Sequence, residues 1–479
     1  MATRAATTSM TPALLVVSLL AMGLAGCAVG PHYQRPAVAP AGTFRSQVGP
    51  SEASSLADLP WWQVFHDQAL QSLVREGLTN SYDLQAAVAR IDEANAQVGV
   101  ARADLFPQVG YEAIAARQKS FVPLEPPQNL TYNTFGLAAT AAWELDVWGR
   151  IRHATDAARA NLFAQEEVRR AVMLTLVSNI AAGYFQLIEL DRELSIAQES
   201  ADTYGRTLNL FKQRFDAGRD SKLGVVRAQA NYESSTATIA GLQRAITQQE
   251  NALCVLIGAY PRPIARATKL ADQSMPATPV GLTTALLERR PDILQAEQVM
   301  IGANAELGVA VANYFPRIGL SALFGWEATR PSDLFKNTFN IWQIGANLAG
   351  PIFQGGRLQS AYHAQQAFWD ESIAQYKKSV TVAFQETSDA LIAQQTLVVQ
   401  REAQQRQVES LREAVDLALQ RYDGGRATYF EVLEAEQQLF PSQDALAQTQ
   451  RDQLIAVVNL YKALGGGWNL KDAEWTGPH

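Results

Sequence analysis

Ala94-Asn-Ala-Gln-Val-Gly-Val-Ala-Arg-Ala-Asp-Leu-Phe-Pro107 returns later in the chain as Ala303-Asn-Ala-Glu-Leu-Gly-Val-Ala-Val-Ala-Asn-Tyr-Phe-Pro316. Nine of the fourteen positions are identical, where ordinary residue usage gives roughly one by chance. Two more landmarks recur in the same order: Gly149-Arg150 as Gly356-Arg357, and Arg214-Phe-Asp-Ala-Gly-Arg219 as Arg421-Tyr-Asp-Gly-Gly-Arg426. A period of 207 to 209 residues means two tandem copies of a whole folding unit.

Within each copy the repeated stretch marks a change of periodicity. Helical patterning that opens at Trp61-Trp62 runs toward Asp104 and is stopped by Phe106-Pro107, after which the apolar period falls from 3.6 to two. Phe135, Leu137, Ala139, Ala141, Trp143 and Leu145 alternate with small or polar residues. In the second copy Ile318, Leu320, Ala322, Phe324 and Trp326 do the same, followed by Trp342, Ile344, Ala346 and Leu348; Val109 to Arg117 is a weaker case. Strands are expected at about 106–118, 131–146, 316–327 and 338–352, joined by loops near Pro123 to Asn129 and Pro331 to Asn337. Their length and small-residue faces suit membrane β-strands. Four such strands cannot close a barrel, because an open edge in lipid leaves unpaired backbone groups. Closure therefore needs partner chains, and eight strands from two copies or twelve from three are both allowed.

A long helix follows each strand pair. From Arg357 to Asp423 there is neither Gly nor Pro, which predicts one helix of about 65 residues. The first copy, Gly149 to about Asp216, has Gly183 and Gly205 as expected weak points. Tyr204, Leu208, Phe211 and Phe215, matched by Leu411, Val415, Ala418 and Tyr422, have the spacing of a coiled-coil seam. Gly218 and Gly424-Gly425 then break the helices, and Ser221 and Thr428 are suited to cap the next ones. Each copy thus ends in an antiparallel helical hairpin with its tip at 216–221 or 423–428, the second returning helix being kinked at Pro441.

The first residues are an address. Arg4 precedes an apolar run from Ala13 to Leu24, the length of a signal-peptide core. It ends in Leu24-Ala25-Gly26-Cys27, the pattern of a bacterial lipoprotein signal, so residues 1–26 are expected to be removed and Cys27 to carry a diacylglycerol and an N-acyl chain. Ala28 follows, and no Asp there argues for inner-membrane retention, so the expected site is the outer membrane. Prolines at 31, 36, 40, 50 and 60 make residues 27–60 an extended tether. Cys254 then has no disulfide partner and reads as a small core residue. With net charge −7 and interspersed charges, nucleic-acid binding is set aside. The five histidines are scattered, and Gly465-Gly-Gly467 lacks the Lys-Ser/Thr of a phosphate loop, so neither metal, cofactor nor enzyme activity is expected.

The ordered set Cys27-Ala-Val-Gly-Pro-His-Tyr-Gln-Arg-Pro36, Trp61-Trp62, Trp143-Glu-Leu-Asp-Val-Trp-Gly-Arg150, Leu287-Glu-Arg-Arg-Pro-Asp-Ile293, Gly350-Pro-Ile-Phe-Gln-Gly-Gly-Arg357 and Tyr461-Lys-Ala-Leu-Gly-Gly-Gly-Trp468 resembles the TolC-like outer-membrane factors, in their lipoprotein, NodT-like branch. The resemblance implies a mixed α and β membrane protein: a homotrimer with a twelve-stranded barrel in outer-membrane lipid, continuous with a long periplasmic α-helical barrel. Residues 61–260 and 282–464 would be the two repeats, with 261–281 and 465–479 in an equatorial belt. It implies a passive exit duct for small toxic compounds, working with a periplasmic adaptor and an inner-membrane pump of the resistance-nodulation-division (RND) type. Heavy-metal efflux, type I secretion and a pore-less lipid-anchored scaffold are the alternatives. By resemblance the adaptor meets the tips at Gly218, Arg219, Ser221, Gly425, Arg426 and Thr428, and the periplasmic constriction matches Phe430 and Glu434, with Tyr422 and Glu431 on the same hairpin. Glu replaces the Asp often found at both acidic places. Glu431 and Glu434 are three apart and share a helical face, so threefold symmetry would make rings of carboxylates that favour cations or hold the tips through partners such as Arg426.

Overall fold

The computed structural model describes residues 28–38, 42–47, 55–122, 128–276, 278–279, 281, 283–471 and 474–477; the expected signal peptide and Cys27 lie outside them. The first copy consists of helix α1 (Gln68–Asn80), α2 (Tyr82–Ala103), strands β1 (Gln108–Val122) and β2 (Gln128–Leu145), and helices α3 (Arg150–Asp216) and α4 (Lys222–Leu256). The second has α5 (Pro291–Ala312), β3 (Arg317–Ala328), β4 (Asn340–Ala349), α6 (Arg357–Asp423) and α7 (Tyr429–Ala463). Corresponding helices have equal lengths: 22 residues for α2 and α5, 67 for α3 and α6, 35 for α4 and α7. The strands differ, at 15 and 18 residues against 12 and 10. β1 and β2 outrun the alternating segments because their hydrogen-bonded register continues to Val122 and Gln128.

The chain divides into two compact units. One comprises Met1–Ala37, Arg90–Gln165 and Gln295–Tyr376, and is built around a single antiparallel sheet in the order β1-β2-β3-β4. The two copies join through β2 and β3, from Phe135 opposite Ala328 to Leu145 opposite Ile318. Apolar side chains on β4 stand out of this sheet rather than into a core: Trp342 is 71%, Ile344 78% and Leu348 69% exposed. The segment after Leu145 is a dense joint. Asp146 accepts hydrogen bonds from Ile151 and Arg152 N–H and so caps α3, Glu144 pairs with Arg150 at 2.9 Å, and the Trp148 ring stacks on Phe315 while its Nε1 donates to Pro316 O.

Residues 28–37 lie along this joint as an extended strap. Val29 N–H donates to Trp148 O, Asn304 Nδ2 donates to Pro31 O, and Tyr33 and Arg35 both reach the Glu297 carboxylate, at 3.0 and 2.9 Å. At Gly30, φ is +138° and an added Cβ would lie 2.9 Å from Gly308 Cα, so the backbones meet where no side chain fits.

The second unit, Val38–Ala89, Glu166–Leu294 and Lys377–His479, is helical and encloses the large apolar core. Trp61, Tyr184 and Tyr461 are fully buried, and each satisfies its polar atom: Trp61 Nε1 on Trp475 O, Tyr184 hydroxyl on Asp67, Tyr461 hydroxyl on Leu59 O. The expected weak points do not interrupt α3. Gly183 and Gly205 instead leave room for α4, since a Cβ at 183 would meet Leu253 at 2.9 Å and one at 205 would meet Tyr232 at 3.4 Å. α7 likewise remains helical through Pro441. Cys254 is buried and free.

Arg290 ties three segments of this unit together. Its guanidinium, 7% exposed, binds Asp292 and Glu386, each at 2.7 Å, and Ala463 O at 2.9 Å. Because the two carboxylates are 40% and 46% exposed, Arg290→Ala is expected to cost about 2 kcal/mol, below the range for a fully buried pair. Thermal unfolding in detergent measures this, and Arg290→Lys should recover less than half, since one ammonium cannot span three acceptors.

Candidate functional site

The two hairpin tips are built alike. α3 and α6 both stop at a glycine in the left-handed region, Gly218 at φ +68° and Gly425 at φ +67°. Beyond it Arg219 N–H reaches back to Arg214 O and Arg426 N–H to Arg421 O, both at 2.8 Å. This closes the last turn with the six-to-one bond of a Schellman stop. Ser221 and Thr428 occupy the next N-cap positions with extended backbones, but neither side chain makes a capping hydrogen bond. The expected caps therefore serve by conformation alone, and Ser221 N–H is instead satisfied by the Asp220 carboxylate at 2.7 Å.

Behind the second tip lies an aromatic cluster. The Tyr422 ring meets Tyr429 edge-on at 5.0 Å, the Arg214 guanidinium lies 5.0 Å over Tyr422, and Tyr429 also meets Phe211 at 5.3 Å. The Tyr429 hydroxyl bonds Thr207 of α3, crossing from the second copy to the first. Tyr422 is thus a packing residue here, its hydroxyl buried without a hydrogen-bond partner among the described residues. Phe430, by contrast, is 56% exposed, and Glu431 and Glu434 lie exposed on one face of α7. Within the chain Glu431 pairs with Arg421, at 3.5 Å between two exposed side chains, a contact worth under about 1 kcal/mol. Arg426 contributes its backbone N–H to the helix stop, and its side chain is exposed.

Sequence reasoning missed three residues that the structure brings together here: Thr207, Tyr429 and Glu436. Glu436 is 3% exposed, and burial pushes its carboxyl up to about 7, with Arg206 opposing. A signal existed for Glu436, since five residues after Glu431 is about 140° around a helix, away from the exposed acidic face. The cross-copy contact left no such periodic trace.

The tips differ in chemistry. At the same 207-residue offset, Lys222, Leu223, Gly224, Arg227 and Gln229 of the first copy stand where the second has Tyr429, Phe430, Glu431, Glu434 and Glu436. One tip presents exposed Arg219, Lys222 and Arg227, the other exposed Glu431 and Glu434. Gly218→Ala and Gly425→Ala are each expected to cost about 1 kcal/mol, because an added Cβ meets nothing within 4 Å and only the backbone conformation resists. Thermal unfolding would show it; a loss several times larger would mean that the tips are packed against something.

Known proteins match the chain over nearly its whole length. Residues 73–259 and 282–466 match the sequence model of the family described as "Outer membrane efflux protein", one stretch for each copy. The "Probable efflux pump outer membrane protein TtgC" of Pseudomonas putida is 33% identical over 468 residues, 96% of each chain. The "Cation efflux system protein CusC" of Escherichia coli K12 is 32% identical over 461 residues, 96% of this chain and all of that one. Among solved structures, the open state of the Neisseria gonorrhoeae MtrE outer membrane channel is 29% identical and superposes with a TM-score of 0.82 over 92% of this chain and 99% of that one. The chain belongs to the outer membrane efflux protein family, and it is an outer-membrane efflux channel built from two tandem copies of one folding unit.

Proposed function

We propose that this protein is the passive exit duct of a tripartite efflux system, a homotrimer whose sheets join edge to edge into one twelve-stranded barrel. The observation that carries this reading is the sheet itself. β1 and β4 are edges with no partner among the described residues, and the apolar side chains of β4 point outward. A soluble domain would bury that face and cover those edges, whereas lipid favours the face and closure removes the edges. Cys27 carries the acyl anchor, and the strap of residues 28–37 continues from it along the strand-to-helix joint. The chain performs no catalysis and takes no cofactor; energy comes from an inner-membrane pump of the RND type, reached through a periplasmic adaptor.

The adaptor docks at the tips around Gly218, Arg219, Ser221, Gly425, Arg426 and Thr428, where basic and acidic hairpins offer it two different surfaces. Phe430, Glu431 and Glu434 form the periplasmic constriction, with Tyr422 packing behind them. Three copies of two exposed carboxylates repel one another and attract cations, so both the width and the ion preference of the closed end depend on them. In planar bilayers the wild type is expected to conduct weakly, and Glu431→Ala/Glu434→Ala to conduct several-fold more with less cation preference. Equal conductance in both proteins would remove these residues from the gate. Conductance in neither, with both folded, would favour a lipid-anchored scaffold.

Cargo is the second part of the proposal. The similar proteins carry names from both drug or solvent efflux and cation efflux, and we assign this chain to small organic compounds, because no cluster of Met or His marks a metal path in its sequence. A deletion strain should become at least four-fold more sensitive to hydrophobic antibiotics and solvents while its tolerance of copper and silver stays unchanged; the reverse pattern would reassign the system to cations.

A further inference from the structure

Glu436 is an acid on the inward side of the gate-bearing helix. It makes no hydrogen bond or ion pair among the described residues, and its Oε2 is shielded from solvent. From α3 it is faced by the Tyr204 hydroxyl and by the Arg206 guanidinium, which acts on it from an exposed position. From its own helix comes the Tyr429 hydroxyl, already bonded to Thr207. α4 brings the uncharged Asn231 amide against Gln437, and α6 brings Tyr422, packed on Tyr429, and Arg421, turned to Glu431. Further along the interface is a cavity of about 240 Å³ lined by Ser200, Tyr204, Asn231, Gln437 and Asp444. Two polar atoms of its lining residues, Asn231 Nδ2 and Asp444 Oδ1, have no hydrogen-bond partner. Such a lining suits water, one residue along α7 from Glu436.

We propose that Glu436 is a positioning residue of the gate: when neutral its carboxyl allows α7 to pack on α3, and when ionised it loosens that packing, so the duct is held shut in acid and released toward neutral pH. The inference rests on the reading of Phe430, Glu431 and Glu434 as the constriction, since α7 carries them. A neutral carboxyl is tolerable in the seam, but a carboxylate there lacks both water and a paired cation. Burial accordingly raises its proton affinity to about 7, while in a loosened, hydrated seam it would titrate as an ordinary carboxylate near 4.3. The packed arrangement therefore holds its proton where the loosened one has lost it. Its advantage is complete below about pH 4, falls as pH rises through the interval between the two values, and levels off above about pH 7. The ratio of packed to loosened forms changes by at most about five hundredfold per protomer.

Two other carboxyls share the α3–α7 interface. Asp444 is raised to about 6 by burial and Glu193, and Glu189 is raised by burial and its bond to Glu193, with Arg451 opposing. The test must separate them from Glu436. Single-channel conductance of the full-length protein would be measured from pH 5 to pH 8 for wild type, Glu436→Gln, Glu436→Asp and Asp444→Asn. The wild type should conduct at least tenfold more at pH 8 than at pH 5. Glu436→Gln should stay at the acid level throughout, while Glu436→Asp and Asp444→Asn keep the rise. A wild type with no pH dependence, or a Glu436→Gln variant that rises like the wild type, overturns the proposal. Spin labels at Lys212→Cys and Gln438→Cys, both exposed positions, give a readout that does not depend on conduction. Their separation should lengthen from pH 5 to pH 8 with Glu436 present and not in Glu436→Gln. If no variant conducts, the duct reading fails by itself, and the label distances still decide this one.

Discussion

A peptide group in hydrocarbon has no water to bond, and an unpaired one costs several kcal/mol. That constraint governs this chain. The sheet of one protomer satisfies the inner ladders, β1 to β2, β2 to β3 and β3 to β4, and leaves two edges. In the proposed trimer, three β4 edges close against three β1 edges. The helices match between the two copies within the chain, 67 residues for each outgoing helix and 35 for each returning one, with matched stops. The strands escape that equality because lipid and loop lengths, not helix partners, determine where they end.

Much of this was legible in the sequence because its determinants are local. Gly218 and Gly425 end helices wherever they occur after such a run, and the absence of Gly and Pro from Arg357 to Asp423 permits one unbroken helix. Two local rules misled. Gly183 and Gly205 signal weakness by propensity, yet tertiary packing overrides a cost of about 1 kcal/mol when α4 fills the notch. Ser221 and Thr428 have the right side chains for capping, but the preceding glycine stops already set the entry of the next helix. What the sequence could not display is which helix faces which. Thr207 and Tyr429 are 222 residues apart, and Arg214 and Arg421 are equivalent by repeat yet do different work, one lying over Tyr422 and the other pairing with Glu431.

The second tip carries three glutamates within six residues, and their surroundings divide the labour. Glu431 and Glu434 are hydrated, and exposed charges of this kind contribute little to folding. Glu436, deprived of water, acts through its protonation state. Under the proposed function the same chemical group supplies an electrostatic barrier on one side of α7 and a pH-sensitive joint on the other, and rotation of that helix would exchange the two environments.

How one duplicated unit came to carry an acidic face in only one copy is visible in an exchange of volumes. In the first copy the Phe211 ring lies against Gly224, where an added Cβ would come within 2.8 Å of it. The equivalent pair in the second copy is Ala418 and Glu431: the large residue has moved from the outgoing helix to the returning one. With a small residue at 418, Glu431 has room to leave the seam and point into solvent, and with Phe211 kept in the first copy the space beside Tyr429 remains filled. A glutamate at position 224 would have to displace Phe211, and with it the edge-on contact that orients Tyr429 and the bond from Tyr429 to Thr207. The acidic face could therefore arise in the second hairpin alone, because the first supplies the aromatic surface against which α7 is held.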